Sequence, residues 1–439
     1  MAGRGKRRRA TVLDDDERRG RRRLEESALL LHKIKGLVGW VVAELSAGRS
    51  PSLALHRYQN YCASAAAAAS PSTCACSYDA PVGTDVLSLL RKEFHASRLN
   101  VLLRVLLVVQ QLLQENKHCS KRDIYYMYPS MFVEQAIVDR AINDICILFK
   151  CSRHNLNVVP VAKGLVMGWI RFVEGEKKVY CITNVNTAFP IPVSIEAIKD
   201  VVSVAHYILV VEKEAVFQRL ANDKFCKKNR CIVITGRGYP DIPTRRFLRY
   251  LVEQLRLPAY CLVDSDPYGF DILATYKFGS MQMAYDANVL RVPEIRWLGV
   301  FTSDFEEYCL PDCCQLPLSS EDTRKLEGIL TRCYLHREAP EWRLKLEEML
   351  EKGVKFEIEA LSSSSISFLS QEYIPQKIKL GTQAYQSITK YLFLTHVRVH
   401  MSRSIVLNTC RSSTRSYLLT LYKITELINS INRPFNYSI

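Results

Sequence analysis

The sequence predicts an α/β multidomain chain, in which a helical module ending in a β-hairpin precedes a domain built on a mainly parallel sheet. Three observations predict it. Apolar residues recur at helical spacing between residues 84 and 149. From about residue 178, short β-rich apolar runs alternate with helical stretches, the pattern of a parallel sheet covered on both faces. The residues that follow those runs are acidic or glycine-rich, and in such sheets functional groups gather at the carboxyl edge.

The 439 residues suffice for two or three domains with proper cores, and 48% apolar with 24% charged residues is ordinary for a globular chain. The most apolar stretch, Val101 to Leu113, is interrupted by Arg104, Gln110 and Gln111 and reads as a buried helix, so no membrane span is expected. The basic N-terminus has no apolar run behind it, which argues against a secretory signal. Net charge is +15, but it is concentrated at the ends. Residues 1–23 carry ten Lys/Arg against four Asp/Glu, and residues 381–439 carry seven against one. The body is nearly balanced, so any nucleic-acid surface on it must be a local patch. The 15 cysteines include no C-x-x-C pair, and Cys74, Cys76, Cys309, Cys313 and Cys314 lack the spacing of a zinc site. A reducing compartment and no structural zinc are expected.

In order, residues 1–26 read as a basic disordered tail, with the Lys6–Arg9 and Arg18–Arg23 clusters as an import address or a phosphate-binding arm. Residues 27–83 read as an amphipathic helix (its pattern already begins at Glu25 and runs to Leu45) and a low-complexity linker. Thr84 to Leu113 carries two helical patterns, the second apolar nearly all round. Ser120 is placed to cap a short helix stopped by Pro129, and Phe132 to Phe149 is again amphipathic. Val158 to Val161 and Leu165 to Phe172 alternate like a hairpin with Lys163-Gly164 in its turn. Helices followed by a hairpin is the order of a winged helix-turn-helix, which gives residues 84–175 a winged-helix reading. In residues 176–379 the strands are expected at His206–Val211, Cys231–Thr235, Tyr260–Val263 and Ile295–Phe301, with helices at Glu214–Ala221, Thr244–Leu255 and Phe270–Phe278.

Two constellations carry chemistry. The stretch HCSKRDIYYMYPS, residues 118–130, holds Tyr125, Tyr126 and Tyr128 just after Lys121 and Arg122. A phenol with an unperturbed pKa of ~10 is a weak nucleophile at neutral pH, and a neighbouring guanidinium can stabilise both the phenolate and an attacked phosphate. Alone, the stretch reads as packed aromatics on a helix turn rather than as a reactive site. The second constellation changes that balance: Glu212 ends one strand, and Asp264 with Asp266 end another on the same edge. Converging carboxylate oxygens suit Mg²⁺, which shares its remaining positions with water and phosphate. A lone D-x-D is most often a turn or cap; a strand-end Glu with a strand-end D-x-D in an α/β alternation is a stronger signal.

That arrangement resembles a Toprim domain. SKRDIYY, VEKEAVF, GRGYPDIPTR and DSDPYGFDI, in that order, resemble the A subunit of topoisomerase VI and its eukaryotic homologue, the meiotic transesterase, in its plant branch. The resemblance covers roughly residues 84 to 379. It implies that Tyr126 is the attacking tyrosine, Tyr125 a packing neighbour, Arg122 the motif arginine, and Glu212, Asp264 and Asp266 the metal ligands for Mg²⁺. Arg237 stands where the family usually has a lysine, and Lys121, Lys163 and Arg245 join it as candidate DNA contacts. The family further implies cleavage of double-stranded DNA by a homodimer in the nucleus. A topoisomerase VI B-like subunit would supply any nucleotide hydrolysis, since the chain lacks a G-x-x-x-x-G-K-[ST] loop. The Glu25–Leu45 helix is its candidate docking surface, or it simply packs on the winged helix. Other function classes are a metal-dependent Toprim nuclease or primase with a merely structural Tyr126, a topoisomerase component working outside meiosis, and a non-catalytic DNA-binding scaffold. Residues 380–439 fall outside the resemblance and read as an unstructured tail from an alternative transcript or intron read-through.

Overall fold

The computed structural model describes residues 3–59, 61, 62, 76, 81–88, 93–175, 177–182, 184–363 and 365–381. The sheet that carries the acidic residues forms from four runs rich in β-branched and apolar side chains: β8 (Tyr207–Val211), β9 (Cys231–Thr235), β10 (Ala259–Leu262) and β11 (Arg296–Gly299). Every residue of β8, β9 and β10 is buried, as a parallel sheet with helices on both faces requires. Their order is β11-β10-β8-β9, all parallel, continued by two antiparallel strands, β3 (Leu165–Gly168) and β6 (Phe189–Pro190). The expected strands and helices of this part all form, with ends moved by at most a few residues. In register, Val211 lies beside Thr235 on one side and Leu262 on the other. The residues after these three therefore emerge from one edge.

The chain reaches this sheet by a route that differs from the sequence expectation. Val158–Val161 and Leu165–Phe172 do not pair as a hairpin. Leu165–Gly168 instead adds to β9, with Val166 opposite Ile234. At Gly168 the backbone turns at φ +115°, and a β-carbon there would lie 2.2 Å from the Cys231 carbonyl oxygen. Only glycine lets the chain cross that close to β9. Beyond it, β4 (Ile170–Glu174) pairs with β5 (Lys177–Tyr180) and with β7 (Ile198–Ser203) in a separate three-stranded sheet. An alternating pattern specifies which side chains face inward but not which strand is the neighbour.

The helical module has its own core. Leu102, Val105, Leu106 and Val109 of the Glu93–Gln114 helix meet Ile142 and Ile145 of the Gln135–Phe149 helix, together with Ile124 and Phe132. Each such side chain contributes about 1.5–3 kcal/mol by leaving water. The Glu93–Gln114 helix is long and apolar enough to cross a membrane by composition, but half of it is buried in this core. Arg98 locks the two helices by donating from Nε and Nη2 to both oxygens of Asp144, at 3.0 and 2.9 Å. Two further differences from the sequence reading occur here. Residues 83–88, read as the start of a helical pattern, form β2 (Gly83–Ser88), antiparallel to β1 (Ser52–Arg57), a strand not expected in the helix-and-linker segment. Leu53, Leu55 and Leu87 of this ribbon pack with Leu99, so the helices do carry a two-stranded ribbon, drawn from the chain before them.

The N-terminal helix spans Gly3–Ser46, starting within the segment read as a disordered tail. Leu30 and Ile34 insert into the helical core, while Leu29, Trp40, Val42 and Leu45 stay exposed. Periodicity shows this helix only where apolar residues recur; its basic first half has no apolar stripe to read. The chain divides after Lys377. Residues 378–381 are helical, and the tail expected over 380–439 lies, from residue 382, outside the described residues.

Candidate active site

The acidic half of the site is an extension of the sheet. Glu212 follows β8 and continues its ladder, its N–H donating to the Leu262 carbonyl at 3.1 Å. Its Oε2 then accepts the Asp264 N–H at 2.9 Å, tying the two acids across adjacent strand ends. Asp264 is 4% exposed; its Oδ1 accepts the Ile358 N–H at 2.9 Å and its Oδ2 pairs with Lys213 Nζ at 2.9 Å. Asp266 caps the Pro267–Phe278 helix, its Oδ1 accepting the Gly269 N–H at 2.6 Å. Gly269 is required by proximity. A β-carbon there would lie 2.6 Å from the Asp264 carbonyl oxygen and 3.1 Å from Glu212 Oε2.

These carboxyl groups resist ionisation. Burial, reinforced by the nearby Asp264 charge, pushes Glu212 up to about 8. Burial likewise pushes Asp264 up to about 6, against the opposing pull of the Ile358 N–H and Lys213. Asp266 is raised as well, again chiefly by burial. The arrangement holds more negative charge than it can keep without a cation. Three hard oxygen donors at one sheet edge, with no room for a side chain at Gly269, fit a divalent metal ion that retains several waters. The three carboxylates are not drawn to a single point, however. Lys213 and the Ile358 N–H hold Asp264, the Asp264 N–H holds Glu212, and the Gly269 N–H holds Asp266.

Lys213, Glu357 and Glu359 do not stand out in the sequence, yet they belong to the site. Lys213 Nζ reaches Glu357 Oε2 and Glu359 Oε2, each at 2.9 Å, in addition to Asp264. Burial alone lowers the affinity of this lysine for its proton, but the three carboxylates outweigh it and hold the ammonium charged. A backbone bridge between Ser265 and Phe356 brings the FEIEA segment alongside. Its alternating glutamates, and the lysine directly after a strand-end Glu, are the signals that could have found them.

The tyrosine half is a short helix, Lys121–Met127, capped by Ser120, whose side chain accepts the Asp123 N–H while Asp123 returns a bond to the Ser120 N–H. Pro129 does not merely stop it but opens the following turn, Pro129–Phe132. Ile124 is the buried anchor. The three phenols separate clearly. The Tyr125 hydroxyl donates to the Val133 carbonyl at 3.3 Å, and the Tyr128 ring lies under Arg104 at 5.0 Å and beside Phe132. Tyr126 is 63% exposed, its ring edge-on to Tyr125. Arg122, on the same helix, is also exposed. Among the described residues no hydrogen bond or ion pair links Tyr126 or Arg122 to Glu212, Asp264 or Asp266; they stand on different hydrophobic cores.

Of the four candidate DNA contacts, two are turned inward or paired. Arg245 is 2% exposed, on the helix face it shares with Leu248 and Val252, and burial pulls it down to about 10. Its place three and seven residues from those apolar positions was readable as an inward face. Lys121 is largely buried and paired with Asp139 at 3.4 Å. Lys163 and Arg237 are exposed and adjoin each other, the Lys163 ammonium donating to the Arg237 carbonyl at 3.2 Å and Arg237 pairing with Glu214 at 2.9 Å. Lys163-Gly164 therefore lies against the glycine turn after β9, not at a wing tip.

Strand-end carboxylates on a parallel sheet, with an exposed tyrosine on a separate helical module, define a topoisomerase-like Toprim protein. The family model for the Toprim domain shared by Spo11 and the A subunit of topoisomerase 6 matches residues 207–378, and the one described as "Type IIB DNA topoisomerase" matches residues 97–158. The chain is 83% identical over 381 residues to a protein of Oryza sativa subsp. indica called "Meiotic recombination protein SPO11-1", covering 87% of this chain and 99% of that one. It is 61% identical to the protein of that name from Arabidopsis thaliana, covering 81% of this chain and 96% of the relative. With "Meiotic recombination protein SPO11" of Homo sapiens it shares 41% identity, covering 65% and 72%. The chain belongs to the family formed by Spo11 and the A subunit of topoisomerase VI.

Proposed function

We propose that this chain is a DNA transesterase that makes the double-strand breaks initiating meiotic recombination. The observation that carries the reading is the separation of the tyrosines. Tyr125 and Tyr128 are engaged by their own module, while Tyr126 projects into solvent beside Arg122. In the reaction, the Tyr126 oxygen forms a bond to a backbone phosphorus as the bond to the 3′-oxygen breaks. The phenol proton leaves to solvent or a base, and the departing 3′-oxygen gains one. A phosphodiester is exchanged for a phosphotyrosyl ester, so no external energy is required. Arg122 stabilises the charge that builds on the phosphate oxygens. Glu212, Asp264 and Asp266 would hold Mg²⁺, which when bound supplies positive charge to position the phosphate. Lys213 keeps Asp264 oriented, and the glycine turn with Lys163 and Arg237 offers cations toward the DNA backbone.

No hydrogen bond or ion pair joins Tyr126 to the carboxylates among the described residues, and in this reading the site is completed between two copies, each tyrosine working with its partner's carboxylates. Two such sites would cut both strands. A B-like subunit is the expected further partner, with the N-terminal helix, on which Leu29, Trp40, Val42 and Leu45 are exposed, as its seat, and the nucleus the place of action. The test is denaturing recovery of the full chain from meiotic cells, followed by detection of short DNA covalently attached. Tyr125→Phe keeps the adduct and Tyr126→Phe abolishes it. Cleavage surviving in Tyr126→Phe would favour a metal-dependent nuclease instead, and loss of cleavage in Glu212→Gln with DNA binding intact would exclude a mere scaffold.

A further inference from the structure

A second cluster of ligand side chains lies on the chain, distinct from the carboxylates. Cys62, Cys76 and Cys333 bring their sulfur atoms within 4.8 Å of one another, and this is the group of three His, Cys, Asp or Glu side chains that converges so closely among the described residues. Cys74 lies outside the described residues. Cys333 is buried and the other two are half-buried, all three packed into the main sheet core. The cluster is built from both partners' backbones. Cys333 donates its N–H to the Cys62 carbonyl at 3.0 Å, and Cys62 donates its own N–H toward the Cys333 sulfur at 3.4 Å. Tyr61 next to it is edge-on to Tyr334 at 5.0 Å and lies under Arg332 at 5.3 Å. Arg337 donates to the Cys76 carbonyl at 3.2 Å.

We propose that Cys62, Cys76 and Cys333 bind a zinc ion as thiolates, fastening the segment between β1 and β2 to the Toprim body. The chemistry of the donors selects the metal class. Thiolates favour zinc over the hard ions that suit Glu212, Asp264 and Asp266. A Zn–S distance of ~2.3 Å in tetrahedral geometry sets sulfur atoms ~3.8 Å apart, so sulfurs already within 4.8 Å need only a small inward movement. The Cys62 N–H directed at the Cys333 sulfur favours the anionic charge that a thiolate places against one dication. Sequence spacing hides such a site because its third ligand comes from a different part of the fold. The ribbon of β1 and β2 packs on the helical module, whereas Cys333 belongs to the Toprim body. The ion would thus tie together the two halves that carry Tyr126 and the carboxylates.

The full chain, purified under reducing conditions without chelator, is predicted to retain one zinc per chain through dialysis, measured by elemental mass spectrometry. Cobalt put in its place should give thiolate charge-transfer absorption. Cys62→Ser and Cys76→Ser, chosen at the half-buried positions so that the fold survives, lose the ion with unchanged circular dichroism. The exposed Cys313→Ser and the carboxylate variant Glu212→Gln keep it. A chelator lowers the melting temperature of the wild-type chain and not of Cys62→Ser. Absence of zinc from the wild-type chain overturns the proposal. So does zinc that survives both cysteine variants, zinc that leaves with Glu212→Gln, or a disulfide found within the trio.

Discussion

The raised acids at the sheet edge make metal binding a proton-coupled event. With Glu212 held up to about 8 and Asp264 up to about 6, the metal-free site carries protons at neutral pH that a divalent cation must displace. The sign follows directly. The cation binds the ionised carboxylates, so affinity rises with pH until Glu212 ionises unaided, and levels off above about 8. At pH 7 a group titrating near 8 is roughly one-tenth ionised, so apparent affinity there is about tenfold below its plateau, or ~1.4 kcal/mol. Below about 6, Asp264 adds a second proton and the dependence steepens. The assay is calorimetric titration of Mg²⁺ into the full chain in two buffers of different ionisation enthalpy, which counts protons released. Close to one proton per ion is expected at pH 7. Asp264→Asn removes the charge that helps raise Glu212, so the dependence shifts to lower pH even as binding weakens. Flat affinity from pH 6 to pH 9 with no proton release would mean that the carboxyl groups bind the ion without losing protons, contrary to their raised titration.

Other perturbations probe the rest of the fold. Arg98→Ala leaves the buried Asp144 carboxylate unpaired and should cost about 3–5 kcal/mol in denaturant unfolding, part of it recovered by Asp144→Asn in the same chain. Gly269→Ala forces a β-carbon against the Asp264 carbonyl and Glu212. Misplacing the ligands by a fraction of an ångström should lower DNA cleavage by about 10²-fold with helicity intact. Ile34→Ala opens a cavity under the N-terminal helix and should cost about 2–4 kcal/mol, whereas the exposed Leu29→Ala should stay within about 0.5 kcal/mol of wild type in the same melts.

The sheet was legible because its strands are buried on both faces. YILVV, CIVIT and AYCL are uninterrupted apolar runs, and the acids after them fall at one edge whatever the details of register. The capped tyrosine helix was legible for a different reason, since Ser120 and Asp123 settle it locally. What could not be read was pairing between distant segments. β3 resembles half of a hairpin until β9 is present to claim it, and β1 sits in a stretch whose partner, β2, lies beyond a low-complexity segment. Charged residues misled where they occupy an inward helix face, as Arg245 does, or find a local counter-ion, as Lys121 does with Asp139. The Cys62, Cys76 and Cys333 trio has no sequence signature at all.

The Tyr126 helix is seven residues long, with Ile124 as its buried anchor, whereas the carboxylates grow out of strands with no exposed residue. Free energies of local opening follow such differences in burial. The helix that carries Tyr126 is therefore expected to open more readily than the strands that carry the carboxylates. In the proposed reaction, a DNA end joined to Tyr126 would travel with the compliant element. Displacing that end would strain the short helix first and leave the carboxylate frame undisturbed.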